Sequence, residues 1–191
     1  MEKSLSRIIL TFQDITQRKN LELKLQKQAQ IDSLTKLLNH KAIFRSLKCE
    51  IARAHKYQLN MSCLMIDVDG FKKVNDNFGH LKGDRVLRHV ADILRKTLRK
   101  SDVIGRYGGD EFLIILPETP PESAKIAAKR ICDLTQSLAG SPEKSSQYVT
   151  VSIGVGGRPS QNVRSAHELI TKIDKALYAA KKNGRSRIVS I

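Results

Sequence analysis

The sequence predicts an α/β fold, an α+β sandwich with a mixed sheet of about five strands flanked by helices. Three observations carry that expectation. Ser101–Pro117, SDVIGRYGGDEFLIILP, reads as a hairpin with Val103-Ile104 on one arm and Phe112–Leu116 on the other. Its turn is Gly108-Gly109, and a glycine pair supplies the positive φ that tight hairpin turns need. Ser62–Ile66 is a short apolar run that suits a buried strand. Around these lie stretches with apolar residues three and four apart, the period of helices with one buried face.

The elements follow in order. Residues 1–14 contain a strand-like run, Arg7–Phe12, expected to be the end of a preceding domain or an N-terminal leader. Ile15, Leu21 and Leu25 fall at helical spacing in a stretch without Gly or Pro, so 15–31 is expected to be a linker helix able to pair with its twin in a dimer. A helix is predicted over Lys41–Lys56, with Ile43, Phe44, Leu47 and Ile51 on one face, followed by a strand over Met61–Val68. Leu81–Lys100 reads as a long amphipathic helix built on Val86, Leu87, Val90, Ile93, Leu94 and Leu98. After the hairpin, Pro120-Pro121-Glu122 opens a helix expected to turn Ile126, Ile131, Leu134 and Leu138 inward. Tyr148–Val155 is a β-branched strand. Ser165–Glu168 is a capping box whose helix runs to about Asn183, with Gly184 beyond its end and a last strand at Arg187–Val189.

Composition bounds the function. The chain of 191 residues holds one domain of ordinary size plus an appendage, and its formal charge of +15 calls for an anionic partner. The basic residues are spread along helices without the aromatic interleaving that stacks bases, so nucleic acid is not the expected partner. Cys49, Cys63 and Cys132 have no metal-type spacing and suggest reduced thiols. No apolar run reaches membrane-spanning length and no signal-peptide pattern opens the chain, so it is expected to be cytoplasmic and without membrane contact.

Two acidic stretches carry the chemistry. Asp67 and Asp69 flank Val68 at the end of the apolar strand, and Asp110 and Glu111 follow the hairpin turn. Alternation along a strand would send the latter two to opposite faces, leaving one to look into a pocket. Carboxylates at a strand end facing others on an adjacent hairpin are a way to hold Mg²⁺, a cation that wants oxygen ligands and shares substrate phosphates. Taken singly, each acid also suits a solvated turn or a cap, Asn75 suits a turn, and Asp84 suits a helix N-cap.

Arg106–Phe112 (RYGGDEF), Asp67–Asp76 (DVDGFKKVND), Phe78-Gly79-His80, Gly83-Asp84, Ser152–Val155, Ala176–Lys181 (ALYAAK) and Gly184-Arg185 together resemble the GGDEF family of diguanylate cyclases. The resemblance covers residues 32–191 and implies a catalytic domain with the palm-like fold of nucleotide cyclases and polymerases. It implies condensation of two GTP into cyclic di-GMP by a homodimer, with Mg²⁺ (or Mn²⁺) held by Asp67, Asp110 and the Val68 carbonyl. It makes Glu111 the acid that assists deprotonation or supports a second ion, Asn75 and Asp84 the guanine readers, and Lys72, Lys181, Arg185 and the backbone of Gly70 and Phe71 the triphosphate contacts. Gly108 and Gly109 would let the nucleotide lie close against the backbone. Arg99 and Asp102 match the family's RxxD inhibitory product site, although an intrahelical salt bridge is an alternative reading of that pair. Asp32–His40 resembles the opening motif of the family, with Lys36 where glycine is usual and His40 where arginine is usual. Asp14–Lys19 resembles the end of a PAS sensor domain running into a signalling helix, which would make the chain part of a longer sensor protein. The rival readings are a catalytically silent domain that binds GTP or cyclic di-GMP, a nucleic-acid-binding protein, and a cyclase for another nucleotide.

Overall fold

A computed structural model describes residues 16, 30–137, 149–158, 163 and 165–191. The readings of Arg7–Phe12, Leu138 and Tyr148 lie outside these residues. Thr16 is helical, Gln30 lies in a turn and Ile31 forms a bridge with Leu38; the rest of the linker helix predicted over 15–31 lies outside the described residues.

The elements are α1 (His40–Lys56), β1 (Met61–Val68), α2 (Phe71–Phe78), α3 (His80–Thr97), β2 (Val103–Arg106), β3 (Glu111–Pro117), α4 (Pro121–Ser137), β4 (Val151–Arg158), α5 (Ala166–Lys182) and β5 (Ile188–Ser190). The five strands form one mixed sheet in the order β2-β3-β1-β4-β5, antiparallel throughout except for the parallel pair β4–β5. β1 is central, and all of its residues are buried. Leu64, Ile66 and Val68 pack toward α3 and α4 with Phe112, Ile114 and Ile153. Cys63 and Met65 pack the other way, toward α1 and α5, with Leu113 and Ile115. Helices thus cover both sheet faces, which is why β1 reads as a continuous apolar run instead of an alternation.

Local signals set the helix ends. The Asn39 side chain accepts from the Ala42 N–H at 3.0 Å and starts α1, and Ser165 Oγ accepts from the Glu168 N–H at 3.1 Å and starts α5. α5 lies so close to β4 that a Cβ on Gly154 would meet the Ile173 carbonyl oxygen at 2.4 Å. No other residue type allows that approach.

One sequence reading is corrected here, and one helix was not anticipated: α2, FKKVNDNF, whose Phe71, Val74 and Phe78 recur at helical spacing over only eight residues, with Val74 alone buried. On α4, Ile126 and Leu134 are exposed, at 64% and 42%, while Ala124, Ala128, Ile131 and Cys132 face the core. Small side chains let the helix sit close to the sheet, and that choice outweighed the larger apolar residues in setting its rotation.

The chain enters the domain through a turn at Asp32–Leu37. The Asp32 carboxylate accepts from the Thr35 N–H (2.8 Å) and Thr35 Oγ1 (2.6 Å), and the Lys36 N–H donates to the Asp32 carbonyl (2.9 Å). Leu38 then pairs with the outer edge of β2, its N–H donating to Ile104 O and its carbonyl accepting from Arg106 N–H at 2.7 Å. Lys36 has φ 58°, the left-handed region where a Cβ crowds the backbone. A glycine would take this conformation without that cost. Lys36→Gly is expected to keep stability within about 0.5 kcal/mol or raise it, and Lys36→Val to lower it by about 1–2 kcal/mol in urea denaturation. A valine that leaves stability unchanged would show that the turn relaxes out of the left-handed region.

Candidate active site

β1 and β3 run antiparallel in a register that sets Asp67 opposite Glu111. Directly opposed residues share a sheet face, so both carboxylates project on the α5 side. There Lys181, in the last turn of α5, places Nζ 2.6 Å from Asp67 Oδ2. Asp110 lies in the turn ahead of β3 and its carbonyl accepts from the Val68 N–H at 3.2 Å. Asp110 lies outside β3, in the turn, so strand alternation does not govern which way it points. Its negative charge acts on both Asp67 and Glu111.

Electrostatics here are unbalanced. Burial, opposed by the Lys181 hydrogen bond and reinforced by the charges of Asp110 and Glu111, pushes the Asp67 carboxyl up to about 6. Burial also raises Glu111, with Lys181 pulling the other way and Asp110 and Asp174 adding to the rise. Asp174, seven residues before Lys181 on α5, is raised by burial against the same ammonium. Asp174 is a member of this cluster that the sequence reading passed over, although the spacing 174, 178, 181 on one helix face would have found it.

The hairpin tip differs from the predicted tight turn. Neither Gly108 nor Gly109 is among the residues with positive φ. The loop is longer, with the N–H groups of Tyr107 and Gly108 both donating to Glu111 O, at 2.8 and 3.2 Å. Gly108 is required for a different reason: a Cβ there would lie 2.6 Å from Glu111 Oε2. Arg106 ties the tip down. Its Nη2 and Nε donate to Gly109 O at 2.7 and 3.1 Å, and its Nη1 lies 3.2 Å from Asp32 Oδ2. Burial alone would raise Asp32, yet the Thr35 hydrogen bonds and the Arg106 charge hold its carboxyl below the usual range. Neither Asp32 nor Arg106 was picked out as a site residue, because their partnership spans the whole of α1, β1, α2 and α3. The His40 ring packs against Tyr107 in a tilted contact, with centroids 4.6 Å apart and planes at 42°.

The remaining predicted residues divide into three groups. Asn75 lies in α2, with its Oδ1 buried and unpartnered, and it packs against Gly83 so closely that a Cβ there would sit 2.0 Å from that oxygen. Asp84 lies inside α3, which begins at His80, so the N-cap reading does not hold. Gly70, with φ 69°, and Phe71 form the N-terminal end of α2 just beyond β1, with exposed Lys72 following. Arg185 sits in the turn after α5 with φ 61°. Arg99 and Asp102 lie beyond the end of α3, where Asp102 Oδ2 accepts from the Arg99 backbone N–H at 2.8 Å, so the intrahelical salt-bridge reading also fails. Both line a cavity of about 180 Å³ together with Arg130 of α4, which the sequence reading did not single out because nothing local distinguishes it from other surface arginines.

The diguanylate cyclase GGDEF domain family matches residues 29–187. The chain belongs to the GGDEF family. It is 37% identical over 179 residues to the diguanylate cyclase DgcM of Escherichia coli, covering 93% of this chain and 42% of that protein. It is 36% identical over 164 residues to the diguanylate cyclase DgcP of Pseudomonas aeruginosa, covering 85% of this chain and 24% of that one. This GGDEF chain therefore spans less than half the length of these curated relatives. Among solved structures it resembles the coiled coil and GGDEF domain of DgcB from Caulobacter crescentus in complex with c-di-GMP, with TM-score 0.83, 30% identity and 92% of each chain covered. No helix among the described residues of the GGDEF chain is long and apolar enough to cross a membrane.

A carboxyl held at about 6 against 3.8 in the unfolded chain binds its proton more tightly when folded. Stability without divalent cations therefore falls as pH rises through that window and is recovered below it. Asp67→Asn should be more stable than wild type at neutral pH by about 1–3 kcal/mol in EDTA, with the gap closing in acid. A neutral-pH loss of stability in that variant would mean that the Lys181 pair outweighs the burial of Asp67.

Proposed function

We propose that this chain is the catalytic domain of a diguanylate cyclase, which joins two GTP into cyclic di-GMP and releases pyrophosphate. The observation that carries the reading is the cluster of Asp67, Asp110 and Glu111 around the Lys181 ammonium at the end of the central strand, in a chain of this family. Asp67 and Asp110, with the Val68 carbonyl, would hold Mg²⁺ or Mn²⁺. The donor set fits a hard cation, and the burial that raises Asp67, reinforced by the charges of Asp110 and Glu111, is what such an ion would offset. Among the described residues no three acidic, His or Cys side chains form a ready-made cage. That suits a cation completed by water and substrate phosphates. When bound, it neutralises triphosphate charge and lowers the pKa of the attacking hydroxyl.

The chain's own groups supply the rest. Lys181, Arg185, Lys72 and the N–H groups of Gly70 and Phe71 at the start of α2 bind the triphosphate. Asp84 accepts from guanine N1–H and N2–H, which adenine cannot match, and Asn75 offers an amide whose Oδ1 has no partner within the protein. Glu111, more basic than an ordinary carboxylate, takes the proton of the ribose 3′-hydroxyl as that oxygen attacks the α-phosphate and the bond to pyrophosphate breaks. A second transfer in the opposite sense closes the ring. Each site holds one GTP, so both bonds require two copies face to face, at least transiently. The product has a separate seat at Arg99 and Asp102, where Arg130 adds a second guanidinium. The buried thiols Cys63 and Cys132 are consistent with a reducing, cytoplasmic setting.

Incubation of concentrated protein with GTP and Mg²⁺ should yield cyclic di-GMP and pyrophosphate together, and Asp67→Asn should reduce turnover by at least about 10³-fold while remaining folded. If a wild-type dimer forced through its N-terminal segment binds GTP without turnover, the silent binding module replaces this reading. Arg99→Ala and Arg130→Ala should each raise the cyclic di-GMP concentration needed for inhibition by about tenfold or more without lowering initial turnover. Unchanged inhibition in both variants would remove the product seat from this cavity.

A further inference from the structure

Asp69 stands two residues beyond Asp67, but its carboxylate is occupied by protein donors. Thr150 Oγ1 donates to Oδ2 and Ser152 Oγ to Oδ1, each at 2.7 Å. The Ser186 backbone N–H donates to Oδ2 at 3.0 Å, across 117 residues of sequence. Thr150 and Ser152 belong to β4 and its approach, so three hydrogen bonds join the end of β1 to β4 and to the turn that follows α5.

That turn has an unusual backbone. Gly184, Arg185 and Ser186 are consecutive residues with φ of 115°, 61° and 47°, and two of them carry side chains. Residues with a Cβ persist in this region only where their surroundings impose it. On one side the turn is tied to its own helix, Arg185 N–H donating to Ala180 O at 3.2 Å. On the other it leads into β5, where Arg187 O accepts from Ile153 N–H at 2.9 Å. Between these anchors the Ser186 amide meets the Asp69 carboxylate, a charge-assisted bond of the stronger kind.

We propose that Asp69 is a positioning residue: it clamps the Gly184–Ser186 turn to the sheet so that the Arg185 guanidinium is aimed at the triphosphate of the substrate. This rests on the role given to Arg185 under the proposed function. Asp69 itself touches neither nucleotide nor cation, and it acts through the turn. The clamp also explains why an acid stands at this position when its carboxylate adds nothing to the cluster around Lys181: only an acceptor with two oxygens can receive all three donors at once.

The test is a mutant cycle read by calorimetric Kd for GTP and, separately, for inorganic tripolyphosphate. Asp69→Ala is expected to weaken both by about tenfold, as Arg185→Ala does, and the double variant to be no weaker than Arg185→Ala alone. Asp69→Asn should stay within about threefold of wild type, because its amide oxygen still accepts from Ser186 and its NH₂ can donate to a hydroxyl. Amide hydrogen exchange at Ser186 should accelerate in Asp69→Ala and not in Arg185→Ala, a signature that a general loss of stability does not give. Multiplying effects in the double variant, or unchanged Ser186 exchange in Asp69→Ala, overturns the clamp. Wild type that ignores GTP but shows the same non-additive cycle with tripolyphosphate defeats the guanine-nucleotide reading and keeps the clamp. Wild type that binds neither ligand defeats both. Should Asp69→Ala fail to fold, Asp69→Ser, which keeps a polar group at the site but removes the carboxylate that Ser186 uses, takes its place in the cycle.

Discussion

Asp67 faces Glu111 across the ladder between β1 and β3, and Lys181 reaches from α5 to close the ion pair over them. The rest of the site depends on that register. A slip of one residue would turn both carboxylates into the α3–α4 core and carry Met65 and Leu113 with them, so every apolar side chain on both faces opposes it. Because β1 is hydrogen-bonded on both edges and buried along its whole length, the fold holds the acids together despite their repulsion. One ammonium stands against three carboxylates and Asp174, and burial first, with that imbalance adding to it, raises the protonation of Asp67 and Glu111. Crowded negative charge at a strand end is a pattern of sites that await a cation or a cationic partner.

Two straps converge on this centre from regions far apart in sequence. Arg106 joins the Asp32 carboxylate of the leading turn to the Gly109 carbonyl at the hairpin tip. Asp69 joins the end of β1 to the turn after α5. Each strap fixes a loop that its own residues would not hold. The hairpin tip has no positive-φ glycine to define it, and the Gly184–Ser186 turn has non-glycine residues in the left-handed region. Rigid backing of this sort is what the alignment of reacting groups requires, since a displacement of about 1 Å can cost two orders of magnitude in rate.

Lys36 in the leading turn and His40 at the start of α1 stand where the family resemblance expects glycine and arginine. Lys36 adopts the left-handed conformation that glycine would take freely, and His40 lays its ring against Tyr107 one residue before Gly108. Both substitutions keep the local geometry through other means: the Asp32–Thr35 hydrogen bonds hold the turn around Lys36, and aromatic contact gives His40 its place. Junction and hairpin are thus mechanically continuous, through Arg106 and through the Leu38 pairing with β2.

Much of the fold was legible in the sequence. The apolar run at Met61–Val68, the Ser165 cap, the hairpin arms and the periodicity of α3 are local signals, and short-range physics decides them. The motif residues that define the family are likewise contiguous strings. Tertiary structure decided what depends on residues meeting from afar. It brought Asp110 into the turn so that both it and Glu111 act on Asp67, and it rotated α4 to bury alanines and expose Ile126. It paired Arg106 with Asp32, joined Arg130 to Arg99 and Asp102 around one cavity, and assigned Asp69 to the C-terminal turn. None of these partnerships has a sequence period or a fixed spacing. Each arises from sheet register or helix packing, where the energy of a contact depends on which residue the fold brings to the other side.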